Sequence, residues 1–459
     1  MATPIGFEPT ISTLTGWRVR PGYTTGPRAF ERIPRHRPPP DRPAGDGAMT
    51  IGGYAGSVIR LFDTASRSFR PVEAAGGAVR LYVCGITPYD GGHLGHAFTY
   101  HTFDLLTRRL RGLGHRVISV RNVTDVDDDM LRVSAARGVG WRELADQVVE
   151  DFDRDMADID ILAVDAAPRA SQHVPAMVDW ISRLAAAGFA YEVDGWVYFE
   201  VARLAGYGRL SRLSEEEMLR LARERGADPD DPRKRAPLDF VLWQRSLTGE
   251  PSWDSPWGAG RPGWHIECSV LSTQELGTPI DVHGGGDDLI FPHHEGEIAQ
   301  ASGAGISPYV RLWVHVAMVG YQGEKMSKSL GNLVFVRQLL ERASGATVRL
   351  LLAAHHHRAA WEYTDRELDA AEARRRRYAA AGASTVSLGA AEAERWRTEF
   401  LARIDDDLDA PGALVVADRL ADRLEAGGGM SSGSVAGTAL LAELLDLVGA
   451  AEAVPQPVG

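Results

Sequence analysis

The sequence predicts an α/β fold in which parallel strands alternate with helices. Val79–Cys84 and Val117–Val120 are short apolar runs of the kind that form buried strands. Between them, Phe103, Leu106 and Leu110 recur at helical spacing, and the helix is predicted to stop at the glycines that follow. A strand, a helix and a second strand in this order indicate a right-handed βαβ unit with parallel strands.

The next part of the chain interrupts this pattern and then resumes it. Residues 135–260 are more polar, and we predict that they are mostly helical with a hairpin near Tyr191–Glu200. Ile280–His283 is then predicted to be another strand that runs into the glycine triplet Gly284–Gly286, with a helix beginning near Pro292. A long insertion therefore divides the α/β unit.

The two ends of the chain differ from this central part. The first 48 residues hold nine of the 25 prolines, so they are predicted to be disordered or to be an extension in front of a start at Met49. Beyond Val386 the chain is predicted to be helical. The predicted organisation is an N-terminal extension over 1–48, an α/β domain over 49–320 with its insertion at 135–260, a loop and contact region over 321–385, and a helical domain over 386–459.

Composition limits the function classes. No apolar run approaches the ~18–20 residues that cross a bilayer, which argues against a membrane protein. Two cysteines cannot build a disulfide framework, so a reducing, cytoplasmic setting is expected. The net charge of −12 argues against broad non-specific binding to nucleic acid. Only Lys234, Lys325 and Lys328 are lysines among the 50 basic residues, which suggests that each lysine has a specific chemical role.

Two segments suit the binding of phosphate groups. His93 and His96 lie between the first strand and its helix, where a helix N-terminus offers free N–H groups to a phosphate. Such a pair alone is often incidental. Lys325 and Lys328 lie in a loop flanked by glycine and serine, and two ammonium groups there suit the charge on a leaving pyrophosphate. A solvated surface turn is the alternative.

A second group of residues suits a nucleoside and a metal. Small residues at the glycine triplet, followed by Asp287 and Asp288, would let a ribose lie against the backbone and would bind its hydroxyls. Cys84, Cys268 and His293 form a zinc-type ligand set. Their wide separation in the sequence leaves two buried structural cysteines as the alternative.

Two motifs and the segments around them resemble one family. His93–His96 resembles the HIGH motif and Lys325–Ser329 reads KMSKS, which together are the paired signatures of class I aminoacyl-tRNA synthetases. The similarity extends from Leu61 to Pro411. Four further segments are similar to the cysteinyl branch of this family: Tyr82–Gly85, Asn122–Asp125, Trp264–Ser269 and Asp288–Glu295.

The resemblance implies a Rossmann-like catalytic domain with an insertion, followed by a C-terminal α-helical domain. It also implies a reaction in two steps, in which cysteine and MgATP give cysteinyl-AMP, and an amine then takes the cysteinyl group. One Zn²⁺ per chain would be held by Cys84, Cys268 and His293, with Glu297 as a candidate fourth ligand. His93, His96, Lys325 and Lys328 are implied as the catalytic residues.

The residues implied for binding the substrate and the adenylate lie in several separate segments of the chain. They are Cys84, Gly85, Ile86, Thr87, Thr99, Asn122, Val123, Thr124, Trp264, Gly286, Asp287, Asp288 and Val319.

Two groups within the branch differ in the acceptor of cysteine, which is tRNA in one and the amine of glucosaminyl-inositol in the ligases of mycothiol biosynthesis. Cys84–Asp90 and Glu224–Pro229 resemble the ligases, and the 130 residues after Ser329 show no sign of an anticodon-reading domain. The expected partners are therefore ATP, L-cysteine and glucosaminyl-inositol, without tRNA or membrane, for a chain expected to be a monomer.

Three alternatives stay open. Glu297 and Ile298–Gln300 are more similar to the tRNA enzymes, which keeps a cysteine–tRNA ligase without an anticodon-binding domain in view. A paralogue with another amine acceptor and an inactive paralogue that only binds are the others. His355–His357 and Arg374–Arg377 are interpreted as a packed helix and a solvated helix face, rather than as a metal site and a tRNA contact.

Overall fold

A computed structural model gives the structure of the protein and describes residues 58–74, 77–326, 331–427 and 435–454. The predicted extension over 1–48 and the predicted catalytic residue Lys328 lie outside these ranges. None of the described helices is both long enough and apolar enough to span a membrane.

The strands and helices are as follows. The strands are β1 Arg60–Asp63, β2 Ser68–Pro71, β3 Ala78–Ile86, β4 Arg116–Val123, β5 Ala190–Val193, β6 Trp196–Phe199, β7 Phe240–Arg245, β8 Gly260–Pro262, β9 Ile280–Gly286, β10 Val310–Val316, β11 Val319–Tyr321, β12 Glu324–Lys325, β13 Trp361–Tyr363, β14 Ser387–Leu388 and β15 Val435–Ala436. The α-helices are α1 Leu94–Gly112, α2 Asp128–Arg137, α3 Trp141–Asp158, α4 Val174–Ala186, α5 Glu215–Glu224, α6 Trp264–Leu276, α7 Glu295–Gly303, α8 Val336–Leu340, α9 Gly345–Ala353, α10 Asp365–Ala381, α11 Ala390–Asp405, α12 Ala410–Glu425 and α13 Gly437–Leu447.

The central sheet is parallel and has the strand order β10-β9-β3-β4. The predicted βαβ unit is confirmed, because β3 and β4 pair in parallel from Ala78 opposite Arg116 onward, and α1 connects them. Both strands are longer than predicted. The predicted apolar face of α1 is also confirmed, since Phe103, Leu106 and Leu110 are all buried.

The insertion between β4 and β9 is less helical than predicted. Its hairpin is confirmed by the antiparallel pairing of β5 with β6, but β7 and β8 extend that hairpin into a four-stranded antiparallel sheet. Phe240, Leu242 and Trp243 of β7 are buried against other parts of the insertion. Because this burial depends on neighbours that are distant in sequence, the residues of β7 alone give little indication that they form a strand.

The C-terminal helices and the parallel sheet share one hydrophobic core. Helix α10 packs against both α9 and α12, so the helical packing already begins in the region predicted to be a loop and contact segment before 386. Helices α11, α12 and α13 pack on one another, and α13 agrees with the predicted helix near the end of the chain.

A buried ion pair joins the C-terminal helical region to helix α1 beside the parallel sheet. Arg109 of α1 donates from Nε and Nη2 to the two carboxylate oxygens of Asp405 at the end of α11, over 2.7 and 2.8 Å. The Arg109 side chain is only 1 % exposed. Because an arginine is not deprotonated in a protein, its charge needs this partner wherever water is excluded.

We predict that Asp405→Ala lowers the free energy of unfolding by about 3–5 kcal/mol, because it leaves the Arg109 charge buried without a partner. Urea unfolding followed by tryptophan fluorescence measures the change. Asp151→Ala is the matched control: it removes one partner of the half-exposed Arg154 and should change stability by less than about 0.5 kcal/mol. Equal unfolding curves for the two variants would contradict the prediction.

Candidate active site

The predicted site residues meet at one edge of the parallel sheet. Strand β3 ends at Ile86, β4 at Val123 and β9 at Gly286, and all three strands run in the same direction. In open α/β sheets, this carboxyl edge is where ligands bind. Gly85–Thr87, Asn122–Thr124 and Gly286–Asp288 therefore come from distant parts of the sequence to a common edge.

Gly85 allows β3 to approach the backbone of β4 closely at this edge. A Cβ atom at Gly85 would lie 1.6 Å from the backbone oxygen of Asn122, which leaves no room for any other residue type. The Gly85 N–H donates to Asn122 Oδ1 over 2.8 Å, and Asn122 Nδ2 donates to Thr124 Oγ1 over 3.1 Å. These bonds fix the Asn122 and Thr124 side chains at the ends of the two strands.

His93 and His96 form the start of helix α1. His93 is the N-cap residue, and its Nδ1 accepts a hydrogen bond from the His96 N–H over 3.3 Å. The two imidazole rings stack with 3.7 Å between their centroids. The Thr99 hydroxyl is bonded to the carbonyl of Gly95 in the first turns of the same helix. The His93 side chain therefore caps the start of α1, and the His96 ring stacks on it there.

The segment that follows the lysine loop is attached to the histidine loop. The Leu94 N–H donates to the carbonyl of Val334, the Val336 N–H donates to that of Gly92, and His93 forms an isolated β-bridge with Phe335. On the other side of the loop, Lys325 pairs through its backbone with Gly320 in β11, next to the buried Val319. Both ends of the lysine loop are thus held near the sheet edge.

Cys84, Cys268, His293 and Glu297 form a buried cluster in which their ligand atoms all lie within 4.8 Å of one another. The two Sγ atoms are 3.7 Å apart, Cys84 Sγ is 3.7 Å from Glu297 Oε1, and His293 Nε2 is 3.4 Å from the same oxygen. Trp264 borders the cluster, with its ring centroid 4.3 Å from that of His293. The structure therefore brings the predicted metal ligands together, including the fourth candidate.

A network of buried imidazoles, which the sequence did not predict, surrounds this cluster. His283 Nε2 and the Tyr309 hydroxyl donate to Glu297 Oε2 over 3.0 and 2.8 Å. His294 Nε2 lies 3.2 Å from Cys84 Sγ, and its Nδ1 lies 2.7 Å from Nε2 of His315. Cys84, His283, His294 and Glu297 consequently form a second set of potential ligands.

The available sequence signal was the placement of His283 and His315 within apolar runs that form the neighbouring strands β9 and β10. A histidine in such a run points to a buried polar contact. Which atoms it contacts depends on the pairing of the strands and on the helix packed over them.

Burial is the main cause of the pKa shifts of the side chains in and around the cluster. It raises the pKa of the Cys84 and Cys268 thiols, and it lowers the pKa of His293 to about 3 and of His265 to about 4. These imidazoles are therefore neutral at pH 7. Burial acts to raise the pKa of Glu297, but interactions with His283 and Tyr309 outweigh it and leave the pKa below its ordinary value.

The structure differs from the sequence-based interpretation of two clusters outside the site, His355–His357 and Arg374–Arg377. His355–His357 do not lie on a packed helix, because they follow the end of α9 in a turn, where His356 and His357 approach Asp407. Arg374 and Arg377 of α10 pair with acidic residues of α12 instead of facing only solvent.

The parallel sheet, the two motifs at its edge and the Cys/His/Glu cluster define a class of protein. Residues 70–373 match the family model described as tRNA synthetases class I (C) catalytic domain. The chain belongs to this family. It is an ATP-dependent ligase by its synthetase domain and its relatives.

Two curated relatives show its place within the family. Both are named L-cysteine:1D-myo-inositol 2-amino-2-deoxy-alpha-D-glucopyranoside ligase. The protein of Thermobifida fusca is 48% identical over 376 residues, which cover 82% of this chain and 90% of the relative. The protein of Streptosporangium roseum is 47% identical over 397 residues, which cover 85% of this chain and 95% of the relative.

Solved structures agree on the fold. A methionyl-tRNA synthetase of Mycobacterium tuberculosis in complex with methionyl-adenylate superposes with a TM-score of 0.56 at 19% identity, covering 81% of this chain and 90% of that one. The LeuRS of Agrobacterium radiobacter K84 gives a TM-score of 0.59 at 11% identity, covering 83% and 85%.

Proposed function

We propose that the protein activates L-cysteine with ATP and transfers the cysteinyl group to the amine of glucosaminyl-inositol. The observation that carries this proposal is the 48% identity to a ligase of that name over 82% of the chain. In the first step, the cysteine carboxylate attacks the α-phosphate of ATP and releases pyrophosphate. In the second step, the amine attacks the carbonyl of cysteinyl-AMP, which gives an amide, AMP and a proton.

Cys84, Cys268 and His293 would hold one zinc ion, with Glu297 as the candidate fourth ligand. Tetrahedral zinc with bonds of about 2.3 Å to sulfur places two sulfurs roughly 3.8 Å apart, and the observed Sγ–Sγ distance is 3.7 Å. When bound, zinc would stabilise thiolates and so favour a cysteine thiol over a serine hydroxyl as the substrate side chain. Burial of all four side chains keeps competing water away.

The phosphate chemistry is assigned to the two motifs. His93 and His96, beside the N-terminus of α1, would bind the phosphates of ATP, and Lys325 and Lys328 would meet the charge that develops on the leaving pyrophosphate. The attachment of the segment after the lysine loop to the histidine loop supports this assignment. The Mg²⁺ that accompanies ATP would be bound together with it.

The adenylate would lie along the carboxyl edge of the sheet. Gly286 brings the end of β9 close to the carboxylates that follow it, since a Cβ there would lie 2.5 Å from Asp288 Oδ1. The carboxylates after β9 would then bind ribose hydroxyls. The other residues assigned to this pocket are Gly85, Ile86, Thr87, Thr99, Asn122, Val123, Thr124, Trp264, Asp287 and Val319.

The segment that resembles the ligases lies against this edge. Arg225, in the turn after α5, donates from Nη1 to the backbone carbonyl of Asp288. Met218 and Ala222 of α5 pack with Phe291, just beyond that carbonyl. Glu224–Pro229 is thus in a position to form one wall of an acceptor pocket beside the adenylate.

The tRNA alternative has less support. Within residues 331–427 and 435–454, the helices join the core of the catalytic domain instead of forming a module with a core of its own. Reading an anticodon requires such a module, with stacking residues and a basic surface. Glu297 resembles the tRNA enzymes, but its contacts are with the metal-ligand cluster and bear on zinc rather than on the acceptor.

Our zinc prediction separates the two potential ligand sets. The purified protein should contain about one zinc, and Cys268→Ser should lower both zinc content and cysteine-dependent pyrophosphate exchange, because a hydroxyl is a poor zinc ligand. His294→Asn should retain the metal after dialysis. Metal content is measured by mass spectrometry, with the exposed Glu275→Ala on the same helix as control. Zinc retained in Cys268→Ser but lost in His294→Asn would move the site to the second set.

For the lysine loop, Lys325→Ala and Lys328→Ala should each slow adenylate formation by about 10²–10³. The affinity for cysteine should change little, because the charge that each lysine meets is strongest in the transition state. Pre-steady-state formation of pyrophosphate measures the rate. Arg154→Ala, which removes an exposed positive charge from α3, is the control and should behave like the wild type. A rise in the Michaelis constant for cysteine at an unchanged rate would refute the assignment.

The acceptor is tested by giving the enzyme ATP and cysteine with either glucosaminyl-inositol or tRNA. We expect amide formation with the sugar amine and negligible charging of tRNA, as measured by mass spectrometry and by acid-precipitable label. Efficient cysteinylation of tRNA without turnover of the sugar amine would overturn the proposed function. Cysteine-dependent pyrophosphate exchange in the absence of any acceptor excludes the inactive binding module.

A further inference from the structure

An ion pair joins helix α8, which follows the lysine loop, to helix α3, and neither helix has a role in the mechanism described so far. Arg337 of α8 donates from Nε and Nη2 to Oδ1 of Asp155, with 2.8 Å between Nε and this oxygen. Its Nη1 lies 3.0 Å from Oδ2 of Asp158, about one turn further along α3. One arginine therefore spans two carboxylates of the same helix.

The two carboxylates differ in exposure. The Asp155 side chain is only 7 % exposed, whereas that of Asp158 is 44 % exposed. Burial raises the pKa of Asp155, and the hydrogen bonds from Arg337 act in the opposite direction by favouring the charged form. Because a charge-assisted hydrogen bond is stronger where water is excluded, Asp155 is the main anchor of Arg337 on α3.

Helix α3 packs directly against the histidine loop. Phe152 and Met156 are buried one turn apart, on the face of α3 that also carries Asp155. A Cβ atom on Gly92 would lie 3.3 Å from Cδ2 of Phe152 and from the methyl carbon of Met156. The Phe152 ring also meets the His96 ring edge-on, with 5.9 Å between the centroids. The position of α3 therefore bears on the position of the histidines.

The segment just before Arg337 contacts the same loop through its backbone. The Val336 N–H donates to the Gly92 carbonyl over 2.9 Å, and the Val334 carbonyl accepts from the Leu94 N–H over 2.8 Å. The histidine loop thus contacts both α3 and this segment. Arg337 completes the arrangement, because it joins the segment to α3.

We propose that Arg337 is a positioning residue that holds the His93 and His96 imidazoles in place for adenylate formation. It ties Val334–Val336 to α3 and so fixes the histidine loop that contacts both. The inference rests on the proposed function, in which the two histidines bind the phosphates of ATP. Arg337 itself touches no reacting atom and acts only through these neighbours.

The test is Arg337→Gln, which removes the charge and keeps a polar side chain. In cysteine-dependent pyrophosphate exchange, we expect the maximal rate to fall about 10- to 100-fold, because small displacements of groups at the reacting centre have effects of this size. The Michaelis constant for cysteine should not change, because the substrate thiol is assigned to the Cys/His/Glu cluster. A loss of rate alone indicates an effect on the transition state.

Two further variants separate positioning from a general loss of an ion pair. Arg337→Lys keeps the charge and should recover part of the rate. Arg342→Gln is the matched control, because Arg342 is similarly exposed and pairs with Asp365 over 2.7 Å, away from α3 and the histidine loop. It should behave like the wild type.

A double-mutant cycle tests whether Arg337 acts through Asp155. Asp155→Asn should lower the maximal rate by a similar factor, and the double variant should be no slower than the slower single variant, because both changes remove the same contact. Effects that multiply would overturn the proposal. If the buried Asp155→Asn does not fold, as judged by circular dichroism, the three arginine variants decide.

An unchanged maximal rate in Arg337→Gln would also overturn the proposal, as would an equal loss in Arg342→Gln or a lysine variant no faster than the glutamine variant. A rise in the Michaelis constant for cysteine that matches the fall in rate would have the same meaning. Exchange requires no acceptor. A wild type that exchanges pyrophosphate without using glucosaminyl-inositol would therefore refute the proposed acceptor alone and leave the conclusion on Arg337 intact.

Discussion

The close contact of β3 with β4 at Gly85 is the constraint on which the site depends. A side chain there would collide with the backbone of Asn122. At this point the pairing of the two strands shifts by one residue, from Val83 opposite Arg121 to Ile86 opposite Val123. Cys84 precedes the glycine in β3, and the histidine loop follows it. The close contact also sets the distance over which the Gly85 N–H meets Asn122 and so fixes the side chain of Thr124.

The polar groups of the metal-ligand cluster beside this edge are buried, whereas His93, His96, Asp287 and Asp288 are partly exposed. The imidazoles of His293 and His294 are neutral because burial disfavours their charged form, and the Glu297 carboxylate is stabilised by His283 and Tyr309. A low-dielectric cluster of this kind strengthens each electrostatic interaction with a bound ligand. The same burial makes each unpaired polar group in the cluster costly.

The helical region is part of the same physical unit as the sheet. Arg109 and Arg349 are both buried, and each pairs with an aspartate across the boundary between elements distant in sequence. Replacing either aspartate alone would leave a buried arginine without a partner and would destabilise the fold. The hydrophobic core that runs from the sheet to α13 also couples the stability of the helices to that of the sheet.

By itself, the sequence determined the βαβ unit, because hydrophobic periodicity is a local property of the chain. Its two motifs carried the resemblance to a family, and that resemblance implied the candidate metal ligands. Only the tertiary structure decided that β7 and β8 complete a sheet in the insertion, and that His283, His294 and His315 surround Cys84 and Glu297. These contacts join residues far apart in the chain, and their energy depends on burial and on hydrogen-bond direction, which no local pattern of residues encodes.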